Sequence, residues 1–224
     1  MIRFLITTYN RQASCQRLVD SLQGLGDILV LNDGCNYKIT GCSQRFGQRH
    51  NGRIGYWQLV SSLFLQAGNY DYYIMLPDDF LMCDLQDNVA LELLKSIEDP
   101  KKICLNLFAD RIGIACWTPI MPVDMGPYYK TGWVDMCFIC EKSFFEAVRS
   151  IKAPFFAPSS RTRRGSGVGS HISKELVKKG YNFYQVKESL VDIQPEHCES
   201  KMLPRWNESR VSLRSRKGKR LFKL

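Results

Sequence analysis

Arg3-Phe-Leu-Ile-Thr-Thr-Tyr-Asn-Arg11 opens the chain with an apolar run that stops at a polar pair. A parallel strand covered by helices reads this way, because neither of its faces meets water. The pattern recurs twice. Ile28-Leu-Val-Leu31 is halted by Asn32-Asp-Gly34, and Tyr72-Tyr-Ile-Met-Leu76 by Pro77-Asp-Asp79. Between these runs lie helical patterns. Ser14 is placed to cap a helix with Leu18, Val19, Leu22 and Leu25 on one face, ended by Gly24 and Gly26. A second helix runs from about Tyr56 to Ala67 and a third from Leu85 to Ile97, before a fourth strand, Ile103 to Phe108. Strands alternating with helices predict right-handed crossovers and an α/β fold with a mostly parallel sheet.

Beyond residue 110 Gly and Pro punctuate the text. A strand is expected over Trp133 to Cys140 and a helix over Lys142 to Ile151. A loop carrying Arg161, Arg163 and Arg164 follows from Pro154 to Gly169. A helix from Ser170 to Lys179 and a strand from Asn182 to Val186 close the pattern. No internal repeat is visible.

The composition, 45% hydrophobic and 24% charged over 224 residues, is that of one ordinary globular domain with a short appendage. No apolar run approaches the ~20 residues of a membrane span. The start, Met1-Ile-Arg-Phe-Leu-Ile-Thr-Thr8, lacks the parts of a secretory signal, so a cytoplasmic protein is expected. Nine cysteines, an odd number without regular spacing, make a poor disulfide framework. Cys137-Phe-Ile-Cys140 has no partner pair to complete a zinc site, and Cys104, Cys116, Cys137 and Cys140 sit in apolar stretches as core residues do.

The net charge of +9 is unevenly placed. Residues 201–224 hold nine Lys or Arg against one acid, Glu208, so the body is nearly neutral and the end is a basic arm. Within it Arg214, Arg216, Lys217, Lys219 and Arg220 stand among apolar residues, a composition suited to binding polyanions.

Ligands of open parallel sheets bind outside the carboxyl ends of the strands. Three successive strands here end in polar clusters, Thr7-Thr-Tyr-Asn-Arg11, Asn32-Asp-Gly34 and Pro77-Asp-Asp79. Each alone would pass for a turn. Together on one sheet edge they outline a polar cleft.

That order resembles the GT-A glycosyltransferases, particularly family-2-like members, over about residues 1–110. The matching text is Thr8-Tyr-Asn-Arg11, Leu31-Asn-Asp-Gly-Cys35 and Met75-Leu-Pro-Asp-Asp79. The resemblance implies a GT-A, Rossmann-like fold. It divides the chain into a catalytic domain, 1–200, with a nucleotide-sugar half (1–110) and an acceptor half (111–200), followed by a basic tail, 201–224. It implies that Asp33 accepts a hydrogen bond from the base, with Thr7, Thr8, Tyr9 and Arg11 lining the nucleoside side. Asp78 would hold the ribose and Asp79 a Mn²⁺ or Mg²⁺ ion, needed because a departing nucleoside diphosphate concentrates negative charge.

Further candidates are looser. Arg53, in Asn51-Gly-Arg-Ile-Gly55, and Arg163 and Arg164, in a loop that would close over the donor, suit a diphosphate. His197 resembles the late histidine that completes the metal shell in many GT-A enzymes. The acidic pair that usually carries the base is absent. His171 and Asp135 are the alternatives for taking the acceptor proton. Trp133, with Tyr128, Tyr129 and Trp117, lies in the segment that usually faces the acceptor. Three functions remain open. One is transfer to a hydroxymethylated base in DNA, as in some small phage-encoded enzymes. Another is transfer to a lipid-linked or surface glycan at a membrane. The third is non-catalytic nucleic-acid binding.

Overall fold

The structure, a computed structural model, describes residues 1–47, 52–82, 86–109, 122–134, 137–153 and 168–194, with backbone alone at 52–54 and 86. The chain divides into two units, Met1–Asp192 and Ile193–Leu224, and of the second only Ile193 and Gln194 are described.

The first half alternates strand and helix as the apolar runs require. It comprises β1 (Ile2–Thr8), α1 (Gln12–Ser21), β2 (Asp27–Asn32), β3 (Ser43–Phe46), α2 (Gly52–Leu65), β4 (Tyr72–Pro77), β5 (Phe80–Met82), α3 (Gln86–Ser96) and β6 (Lys102–Asn106). There follow β7 (Val123–Asp124), β8 (Tyr128–Thr131), β9 (Phe138–Glu141), α4 (Lys142–Arg149), α5 (Val168–Lys178), β10 (Asn182–Val186) and β11 (Val191–Ile193). Among the described residues one sheet has the order β3-β2-β1-β4-β9-β6-β10-β8-β7. The pairs β1–β2, β1–β4, β2–β3 and β6–β10 are parallel, whereas β9 and β8 oppose their neighbours.

Helix α2 is apolar on several sides because other helices cover it. Its Trp57, Val60, Leu63 and Phe64 share a buried cluster with Phe144 and Phe145 of α4 and Ile172 and Leu176 of α5. Phe64 meets the rings of Phe144 and Phe145 at 5.6 and 5.0 Å. Cys104, Cys137 and Cys140 are buried free thiols, and no disulfide forms among the described residues. No helix among those residues is long and apolar enough to cross a membrane.

Three local expectations are revised. Helix α1 starts at Gln12 with Arg11 at its N-cap and no capping side chain, while Ser14 is buried inside the helix. The strand expected from Trp133 begins only at Phe138. The backbone at 133 and 134 is held instead by side chains of flanking elements. Asn106 Nδ2 donates to the Trp133 carbonyl at 2.8 Å, and the Val134 N–H donates to Ser173 Oγ at 2.9 Å. Helix α5 begins within the glycine run, and a Cβ on Gly169 would lie 2.9 Å from the Val134 carbonyl oxygen. The glycine there permits close helix–backbone approach.

Asp99 ties the later strands together. Its Oδ2 accepts from Asn182 Nδ2 at 2.7 Å and Tyr184 OH at 2.5 Å, and its Oδ1 accepts from the Lys101 N–H at 2.8 Å. Partial burial opposes the charge, but these donors and Lys130 outweigh it and hold the carboxyl below its ordinary value. A depressed folded value means stability that is present above the unfolded pKa and lost as pH falls through the folded one. Asp99→Asn should therefore lower the urea midpoint at neutral pH and flatten its fall below about pH 4. Parallel pH profiles for the two proteins would contradict this.

Candidate active site

Parallel register carries three strand ends to one line. Thr7 pairs with Leu31 on one side and Pro77 on the other, and Thr8 pairs with Asn32. The ladder then extends one step past the strands. The Asp33 N–H donates to the Thr8 carbonyl at 2.8 Å and the Asp78 N–H to the Thr7 carbonyl at 3.2 Å. Asp33 and Asp78 are thus fixed, both buried, on either side of the end of β1. The turn after β2 is shaped by Asn32, whose side-chain oxygen accepts from the Cys35 N–H at 3.0 Å and whose carbonyl accepts from Gly34 and Gly47.

Asp78 is the hub. Thr8 Oγ1 donates to its Oδ2 at 2.7 Å, with the Tyr9 N–H 3.4 Å from the same oxygen. Arg11 Nη1 donates to its Oδ1 at 2.9 Å. Burial pushes its pKa above the ordinary carboxylate value, against the opposing pull of Thr8 and Arg11, with the neighbouring Asp79 adding to the rise. Tyr37, from the loop after β2, closes the ring. Its hydroxyl is 2.6 Å from Thr8 Oγ1 and accepts from the Arg11 N–H at 3.3 Å. Beneath lies Cys15 of α1, whose thiol burial pushes up to about 12 while a hydrogen bond with Thr8 pulls the other way. The chain turns from β1 into α1 at Asn10, a non-glycine residue at φ 54°, a region asparagine tolerates better than most. The Cys35 thiol donates to its side-chain oxygen at 3.0 Å.

Asp79 is less enclosed. Its Oδ2 lies 3.5 Å from the same Arg11 Nη1, and its side chain is 19% exposed against 5% for Asp78 and 41% for Arg11. The pair is a set of hard oxygen donors already gathered on a cation, here a guanidinium. That donor chemistry fits Mg²⁺ or Mn²⁺. Asp79 is the better placed of the two, because both Asp78 oxygens already accept hydrogen bonds. No group of three His, Cys, Asp or Glu suited to a metal forms among the described residues.

The structure thus brings Thr7, Thr8, Tyr9, Arg11, Asp33, Asp78 and Asp79 together. Trp133 is held at the end of β6 through Asn106, with its indole N–H buried and without a partner among the described residues. His171 faces the helix layer, with Nε2 2.9 Å from the Lys152 carbonyl oxygen and its ring edge-on to Trp57 at 5.3 Å. Tyr128 is buried against Tyr184, and Tyr129 receives Lys187 over its ring. The side chain of Arg53 lies outside the described residues, as do Trp117, Asp135, Arg163, Arg164, His197 and the tail residues Arg214, Arg216, Lys217, Lys219 and Arg220. Sequence reasoning missed Tyr37 and Cys15. Neither sits in a strand-end motif, and only the folded loop and helix bring them to Thr8.

No family model matches this chain, and no curated protein sequence does. Solved structures do. GalNAc-T7, crystallised with UDP, GalNAc and Mn²⁺, is 15% identical with a TM-score of 0.60, covering 84% of this chain and 42% of its own. Residues 1–349 of TarS from S. aureus are 9% identical with a TM-score of 0.57, covering 86% of this chain and 60% of that one. The fold is that of the GT-A glycosyltransferases. This chain spans less than two thirds of the length of either structure.

Thr8 is the joint between Tyr37, Cys15 and Asp78. Thr8→Val keeps the shape and leaves the buried Asp78 oxygen without its hydroxyl donor, a loss worth about 1–3 kcal/mol. Urea denaturation checks this, and combining it with Tyr37→Phe should give less than the sum of the single effects, because the variants share one bond. An effect of Thr8→Val within a few tenths of a kcal/mol would remove Asp78 from its place as hub.

Proposed function

We propose that this chain is a glycosyltransferase that moves a sugar from a nucleotide-diphosphate sugar, a UDP-sugar favoured, to an acceptor hydroxyl. The observation that carries the reading is the convergence of Asp33, Asp78 and Asp79 at one edge of a sheet with the GT-A fold. In this reading Asp33 accepts from the base and Asp78 meets the ribose. Asp79 would hold Mn²⁺ or Mg²⁺, an ion that supplies charge neutralisation to the leaving diphosphate. The presence of UDP and Mn²⁺ in the GalNAc-T7 structure supports that donor and that metal. In this reading Trp133, at the end of β6, meets the acceptor. His171 and Asp135 stay the two candidates for taking the acceptor proton.

For the acceptor we favour a hydroxymethylated base in DNA. The support is the basic segment 201–224, which suits a phosphate backbone by counterion release.

Ligands that bind only the folded state raise its apparent stability, by about 2.7 kcal/mol at a hundredfold excess over Kd. UDP-sugars with Mn²⁺ should raise the melting temperature of the wild type. Asp33→Ala and Asp79→Asn should each abolish the rise. Labelled sugar from UDP-glucose should pass to hydroxymethylated duplex and not to unmodified duplex. Label found only on lipid would end the DNA reading, and DNA binding without any nucleotide-sugar binding or turnover would end the enzyme reading.

A further inference from the structure

The acidic pair already has a cation, and it belongs to the chain. One guanidinium nitrogen, Arg11 Nη1, reaches both carboxylates, at 2.9 Å to Asp78 and 3.5 Å to Asp79. The two contacts differ in character. Asp78 is buried and also held by Thr8 and the Tyr9 backbone, so its charge has been withdrawn from water and needs a nearby compensating group. Asp79 is partly open, and its contact is beyond ordinary hydrogen-bond length. Arg11 is itself 41% exposed, so its head group has solvent on one side into which it can withdraw. Its backbone, by contrast, is pinned. Its N–H donates to Tyr37 OH and its carbonyl accepts from the Cys15 N–H at 2.9 Å. A fixed backbone with a half-exposed head, bonded to Asp78 and only at long range to Asp79, is a tethered counter-ion.

We infer that Arg11 is a built-in counter-ion that occupies the Asp78–Asp79 carboxylates and competes with a divalent metal for them. A dication and a guanidinium cannot share Asp79 at short range without repulsion, which no low-dielectric site forgives cheaply. Metal entry therefore displaces the guanidinium from Asp79, while Thr8 and the Tyr9 N–H keep Asp78 satisfied. The consequence is a site that binds metal weakly when empty of nucleotide and better once a diphosphate supplies oxygens and gives Arg11 another anion to meet. This rests on the metal assignment of Asp79 made above.

Mn²⁺ binding to the nucleotide-free protein tests it, followed by the electron paramagnetic resonance signal of the free ion. Arg11→Met, which keeps the apolar stem, should tighten Mn²⁺ binding by about tenfold, the effect of 1.4 kcal/mol. Asp79→Asn should abolish binding in either background. Equal or weaker binding by Arg11→Met, with Asp79→Asn still abolishing it, would overturn the counter-ion and leave the metal site standing. Absence of Mn²⁺ binding in every protein, with or without UDP, would overturn both. Should Arg11→Met fail to fold, a wild-type crystal structure with Mn²⁺ decides. Arg11 Nη1 more than 4 Å from Asp79 supports the inference, and an unmoved Arg11 beside a bound ion overturns it.

Discussion

A carboxylate buried at the end of a parallel strand is the demand that organises this half of the molecule. Asp78 can be ionised there only if donors replace the water it has lost. Thr8, the Tyr9 backbone and Arg11 do so, the first from the end of the neighbouring strand β1 and the others from the segment that follows it. The turn at Asn10, the hydroxyl of Tyr37 and the start of α1 at Gln12 all hold that segment in place. The site and the β1–α1 connection are one structure, so neither can be altered alone.

The sheet shows the same economy on a larger scale. Parallel pairing sets β2 and β4 on either side of β1, and its register brings their carboxyl ends level. Strand β9 then enters against the grain between β4 and β6. Its first residue, Phe138, pairs with Met75 and Asn106, at the carboxyl ends of β4 and β6. The Trp133 carbonyl is held beside Asn106, at the end of β6. Helix α5 secures the Val134 backbone through Gly169 and Ser173.

Much of the first half was legible in advance. Apolar runs that halt at Asn, Asp or Pro mark buried parallel strands, and the rule that ligands gather at their carboxyl ends needs no coordinates. The short strands β3, β5, β7 and β8 were not legible. They have two to four residues and no apolar periodicity of their own, and they exist because a neighbouring edge offers backbone partners. The strand expected from Trp133 failed at its start for a related reason. Its apolar residues suit a strand, but side chains from β6 and α5 took the backbone groups that a ladder would have used.

The sequence by itself determined the alternation of strand and helix, the edge where acidic residues collect, and the identity of Asp33, Asp78 and Asp79, since these follow from local pattern and the geometry of a pleated, helix-covered sheet. Only the tertiary structure decided that Arg11 spans both carboxylates, that Tyr37 and Cys15 support Thr8, and that His171 packs on Trp57 among the helices. Those outcomes depend on distances between residues far apart in the chain. Burial sets their energies by removing water, and no local pattern encodes which distant side chains will meet there.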